Sequence, residues 1–165
     1  MQRDDPLLFR NFLRRLSPFA STGSGIDLRS YQKSAGEAIV ESVIGRRGDS
    51  MVVMFPRQSG KNELQAQIEA FLLYRLHRLG GEIVKVSPTF KPQTQNAMRR
   101  LERVLENSAV LKYIWTKESG YVYRVGKATI TFLSGDPNAN VVGATASTLL
   151  ECDEAQDVTI EKWDR

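Results

Sequence analysis

The chain carries one cysteine and one histidine in 165 residues. That inventory excludes a disulfide framework and a Cys/His zinc site. The lone Cys152 reads as a packed core thiol, and the lack of further cysteines fits a reducing, cytosolic compartment. No stretch approaches the roughly 20 apolar residues of a membrane span. The N-terminal segment MQRDDPLLFRNFLRRL is interrupted by arginines and lacks the apolar region of a signal peptide. It reads as an amphipathic helix with Leu8, Phe12 and Leu16 on one side. Internal repeats and low-complexity tracts are missing too. What remains is ordinary for one globular domain with a real core: 41% hydrophobic residues, 25% charged residues and a net charge of +4. The slight basic excess permits a nucleic-acid partner without requiring one.

Residues 17–27, SPFASTGSGID, have the composition of a linker. They divide the chain into an N-terminal helix and linker (1–25) and a core (26–165). A helix follows, with Ala35, Ala38, Ile39, Ser42 and Val43 on one face and Gly45 as its stop. MVVMF at 51–55 is short, apolar and turn-bounded, as in a strand buried on both faces of a parallel sheet. A long helix then spans about 60–79, with Leu64, Ile68, Phe71, Leu72, Leu76 and Leu79 on its apolar side. EIVKVS at 82–87 predicts a second strand. A third helix is expected over 91–107, burying Met98, Leu101, Val104 and Leu105. Gly126-Lys127 separates two alternating runs and predicts a hairpin with a type II′ turn. TLLEC at 148–152 predicts the last strand. This order argues for an α/β layered fold with a mainly parallel sheet flanked by helices.

The chemistry concentrates at Phe55-Pro56-Arg57-Gln58-Ser59-Gly60-Lys61-Asn62. A glycine and a lysine at the start of a helix suit a phosphate-binding loop. The backbone N–H groups near Gly60 and the positive helix end would face phosphate oxygens, and Lys61 would pair with the β- and γ-phosphates. Two positions depart from the usual pattern. Phe55 stands where the first glycine is expected, and Asn62 stands where a hydroxyl would hold Mg²⁺. An Asn oxygen can still serve a hard cation. The plainer reading is a strand–turn–helix with a solvated lysine.

Leu149-Leu150-Glu151-Cys152-Asp153-Glu154 is a strand that ends in two acids, a Walker B arrangement. Asp153 would hold Mg²⁺, and Glu154 would polarise the attacking water. Two acids that cap a helix near 158–162 are the plainer reading. Glu151 lies where an apolar residue is usual, so it requires a basic partner or an exposed face. Upstream, Tyr31 and Gln32 could stack on adenine and hydrogen-bond its edge, or simply decorate a helix start.

Together the segments L-R-S-Y-Q, P-R-Q-S-G-K-N, S-P-T-F and G-A-T-A-S-T-L-L-E-C-D-E-A-Q-D resemble the ATPase domain of tailed-phage terminase large subunits, over about residues 26–158. The resemblance implies a P-loop NTPase of the ASCE type that hydrolyses ATP with Mg²⁺ and drives double-stranded DNA into a procapsid. It assigns Tyr31 and Gln32 to adenine. It assigns Arg57, Gln58, Ser59, Gly60, Lys61 and Asn62 to the phosphate loop, with Arg57 able to sense the γ-phosphate. Asp153 and Asn62 become metal ligands, and Glu154, Lys61 and Arg57 the catalytic set. It further implies a homo-oligomeric ring, commonly a pentamer on the portal, a small terminase subunit as partner, and the host cytoplasm as location. More ATPase strands and a nuclease domain are expected after Arg165, which leaves the sheet incomplete on its C-terminal side. Val142 stands where the family often has a trans-acting arginine; Arg124, or Arg99, Arg100 and Arg103, could replace it or form a solvated basic face. Two other readings stay open. One is a superfamily 2 helicase or restriction-type DNA translocase, from the Asp-Glu-Ala-Gln run. The other is a nucleotide- or DNA-binding module without hydrolysis.

Overall fold

The computed structural model describes residues 13–136 and 144–158. Leu8, Phe12, Val142 and the segment after residue 158 lie outside that range. The chain forms an α/β domain around a five-stranded mixed sheet. Its elements are α1 (Leu16–Ser24), α2 (Ser30–Ile44), α3 (Lys61–Leu76), β1 (Gly81–Ser87), one turn of π-helix (Phe90–Thr94), α4 (Gln95–Asn107), β2 (Trp115–Glu118), β3 (Val122–Val125), β4 (Ala128–Ser134), β5 (Leu149–Cys152) and a 3₁₀ turn (Ala155–Asp157). The strand order is β2-β3-β4-β1-β5. β1 runs parallel to both β4 and β5, while β2, β3 and β4 form an antiparallel meander. The sheet is therefore mixed, and the expectation of a mainly parallel one holds only for its β4-β1-β5 side.

α3 is the central helix. It packs against β1, β3, β4, α1, α2 and α4. Ile68, Phe71, Leu72 and Leu73 are fully or almost fully buried there, with Ile83, Ile130 and Phe132 of the sheet in the same core. Leu79, expected on the apolar side of a longer helix, is 79% exposed because α3 stops at Leu76. The hairpin turn forms as expected, with Gly126 at φ 56°. A Cβ on Gly126 would meet the His77 carbonyl oxygen, a backbone atom that cannot yield.

Two further expectations fail. Residues 17–24 are helix, not linker. Leu16, Phe19, Ala20 and Gly23 supply a buried stripe at helical spacing, hidden among serines and threonine. Pro18 sits in the first turn, where no N–H is needed. Gly25 then ends the helix at φ 67°. Phe19 meets the Phe71 ring edge-on at 5.3 Å and stacks on Tyr74 at 5.5 Å, so this helix belongs to the core.

The second failure is the 51–55 run, which is not a strand. Val52 is 91% and Met54 88% exposed. Composition identifies residues that suit a buried strand, but a strand also needs a neighbouring edge to hydrogen-bond. Among the described residues, β5 pairs only with β1, and no strand pairs with 51–55. Only Phe55 is tied down, packing on the core and meeting the Tyr31 ring edge-on at 5.3 Å.

Candidate functional site

The site lies at the carboxyl ends of β1 and β5, beside the first turn of α3, where open α/β sheets place their ligands. Gly60 is the N-cap of α3 in the left-handed conformation, φ 81°. A Cβ there would stand 2.7 Å from the Gln32 amide nitrogen and displace the side chain that holds the loop, and the left-handed backbone itself favours glycine. The first N–H groups of α3 have no intrahelical acceptor and carry the positive helix end. Lys61 follows at once. Its Nζ lies 2.6 Å from a Glu154 oxygen and 3.1 Å from Asp153 Oδ1. Partial burial opposes the lysine charge, but hydrogen bonds to Glu154 and Asp153 outweigh it and raise the Lys61 pKa. The same hydrogen bond lowers that of Glu154, helped by Gln156, whose amide donates to the other oxygen at 2.7 Å.

β5 delivers the two acids differently. Asp153 is buried, 8% exposed, and accepts the Glu154 backbone N–H at 3.1 Å. Glu154 adopts φ 48°, ψ 49°, a costly conformation for a residue with a Cβ. Gln58 in the loop does the same at φ 60°. Among the described residues, two of the four non-glycine residues with positive φ thus fall in this one site.

Tyr31 and Gln32 reach the loop through its backbone. The Tyr31 hydroxyl donates to the Ser59 carbonyl at 2.8 Å. The Gln32 amide donates to the Gly60 carbonyl at 3.1 Å and the Ser59 carbonyl at 3.4 Å, and its oxygen accepts from the Arg29 N–H at 2.8 Å. Both side chains hold the loop in shape, and the Gln32 amide is spent on it. The Tyr31 ring stays 38% exposed. Arg57 and Asn62 are exposed and have no hydrogen-bond or ion-pair partner among the described residues. The Ser59 hydroxyl is buried without a partner.

The oxygen donors fit a hard cation: the Asp153 carboxylate with the Asn62 amide beside it. No group of three or more His, Cys, Asp or Glu side chains suited to a metal occurs among the described residues. Mg²⁺ would therefore depend on phosphate oxygens to complete its shell, which is how it commonly binds.

A cleft of about 120 Å³ opens beside Lys61, with Asn62, Gln65, Glu69, Lys85, Gln93, Asn96, Asp153 and Glu154 on its walls. Under it lies a cluster that composition did not reveal. Lys85 of β1 pairs in register with Glu151 of β5. Its ammonium binds Glu69 of α3 at 2.6 Å and Glu151 at 3.1 Å. This is the basic partner that Glu151 required. A signal for Glu69 was present: Lys61, Gln65 and Glu69 recur every four residues and form one polar stripe on a buried helix.

Burial, the largest influence, pushes the Glu69 carboxyl up to about 8 against the pull of Lys85. Lys85 keeps its charge, since Glu151 and Glu69 overcome the cost of its own burial. A carboxyl raised from 4.5 favours folding only while protonated. Stability is expected to fall as pH rises from about 4.5 to about 8 and then level off. Thermal melts between pH 5 and 9 check this, and Glu69→Gln should flatten that part of the profile. An unchanged slope in Glu69→Gln would remove Glu69 as its source.

Among the described residues, no helix is long and apolar enough to cross a membrane. Compared with protein-family models, curated proteins and solved structures, the chain finds no match.

Proposed function

We propose that the chain is the nucleotide-binding core of an ATPase that hydrolyses ATP to ADP and phosphate, of the kind that drives DNA packaging by terminase large subunits. The observation that carries this reading is the meeting of Lys61 with Asp153 and with Glu154, the latter 93 residues away in sequence, at the positive end of α3. In this arrangement Lys61 binds both acids and offsets one of their two negative charges. When a triphosphate enters, Lys61 exchanges carboxylate oxygens for phosphate oxygens. Asp153 would then be free to hold Mg²⁺ with Asn62, and Glu154 would accept a proton from the water that attacks the γ-phosphorus as the bond to the ADP oxygen breaks. Bound Mg²⁺ supplies charge neutralisation at the phosphates. Arg57, exposed in the loop and close enough to help lower the Glu154 pKa, is free to meet the γ-phosphate.

The DNA-motor part rests on the sequence resemblance and on the basic residues of α4. Arg100 and Arg103 share Glu63 at 3.2 Å each, and the Arg103 side chain stays 58% exposed. Contacts to DNA phosphates would make affinity fall steeply with salt. Duplex DNA binding measured across a salt series tests this part, and a flat response would remove it. A second reading, nucleotide binding without hydrolysis, is favoured by Asn62 at the metal position and by the absence of a strand at 51–55. Phosphate release at saturating MgATP separates the two: sustained turnover supports the ATPase, and tight binding with none supports the second.

A further inference from the structure

We infer that Gln93 reads the terminal phosphate of a bound nucleoside triphosphate, with Asn96 beside it. This rests on the nucleotide reading of the site and extends it to the opposite wall of the cleft. Gln93 sits in the kinked turn between β1 and α4, where Lys91 has extended backbone (φ −112°, ψ 126°). Its side-chain oxygen accepts from the Thr89 backbone N–H at 3.0 Å and from the Thr89 hydroxyl at 2.9 Å. A backbone N–H can only donate, so this end of the amide must be the oxygen. The amino end is then left to line the cleft that also holds Asn62, Asp153 and Glu154.

The turn is held in place. Thr94 is fully buried, and its hydroxyl donates to the Thr89 carbonyl at 3.0 Å or to the Leu133 carbonyl at the end of β4, 3.3 Å away. Gln93 is therefore an amide clamped through its oxygen, and it lines the cleft together with Asp153 and Glu154. Asn96, exposed and without a described partner, adds a second amide three residues on. Donors at that place match an oxygen-rich anionic group lying between Lys61 and Glu154, which is where the last phosphate of a triphosphate would sit.

The alternative is that Gln93 only caps its turn. Gln93→Glu separates the two. A carboxylate still accepts from both Thr89 groups, but it presents no N–H to the cleft and adds negative charge. The test is calorimetric titration of the full chain with Mg²⁺ and either a non-hydrolysable ATP analogue or ADP. Affinity for the triphosphate is expected to fall about 10- to 100-fold, the effect of losing hydrogen bonds to a charged group. Affinity for ADP is expected to stay within about twofold, as the site of contact is the third phosphate. Should Gln93→Glu melt at lower temperature, Asn96→Ala gives the same comparison at an exposed residue with no cap to lose. Unchanged triphosphate affinity in both variants, or equal losses for both nucleotides, overturns the inference. Failure of the unaltered chain to bind either nucleotide overturns it together with the reading beneath it.

Discussion

Replacing Glu154 with Gln is expected to lower ATP hydrolysis by about 10²- to 10⁴-fold, the usual worth of a positioned general base. MgATP affinity should stay within a few-fold. The reason is the division of labour between the two acids. Asp153 is buried, accepts the Glu154 backbone N–H, and is the acid that would hold Mg²⁺ in the proposed reaction. Glu154 is more exposed and held in a strained conformation, and its carboxylate answers to Lys61 and Gln156. Once phosphate draws Lys61 away, Glu154 loses its cation and becomes the stronger base. Glutamine keeps the shape and accepts no proton. Phosphate release at saturating ATP, alongside calorimetric affinity, checks both halves. Equal turnover in Glu154→Gln and the unaltered chain would assign the base elsewhere. Loss of binding as well would make Glu154 a binding residue.

Replacing Lys85 with Met is expected to destabilise the fold by about 3–5 kcal/mol, because it leaves the Glu151 carboxylate without its cation and the buried Glu69 carboxyl without its hydrogen-bond partner. Lys85 is 2% exposed and Glu69 is fully buried, so water cannot take its place. For a chain of this length the melting temperature should drop by about 10 °C. The triple variant Lys85→Met, Glu69→Leu, Glu151→Leu should recover most of the loss, since a buried ionic cluster is often replaceable by apolar residues. A triple variant no better than the single one would mean that bulk and packing, not unpaired charge, cause the damage. The cluster joins α3, β1 and β5, the three elements that bring Lys61 to Asp153 and Glu154. Thermal melts therefore also report how firmly the site is held.

The sequence showed some layers of this site more clearly than others. Lys61 and the Asp153–Glu154 pair were legible as motifs, and the structure brings them together. The helix over α4 and the 126–127 hairpin were legible from periodicity and turn chemistry. Three things were not. α1 was masked because its buried stripe uses Ala20 and Gly23, small residues that composition counts as loop. β2 was missed because it is a sheet-edge strand with half-exposed or exposed side chains throughout, so alternation leaves no trace. The 51–55 run misled in the opposite direction: five apolar residues suit a buried strand, yet whether an edge is available to pair with them is a tertiary fact. At the site itself, Glu151 in a strand announced a missing cation, but only sheet register could name Lys85. Tyr31 and Gln32 were read as adenine contacts or as decoration of a helix start, and neither reading foresaw that their hydrogen bonds go to the carbonyls of Ser59 and Gly60.

The central claim is that Lys61 and the first turn of α3 hold the phosphates of a nucleotide. Its most direct test is titration of the unaltered chain and of Lys61→Ala with MgATP. Saturable binding by the first, weakened about 100-fold or more in the second, is the expected result. Equal affinity in both, or no binding by the unaltered chain, would contradict it.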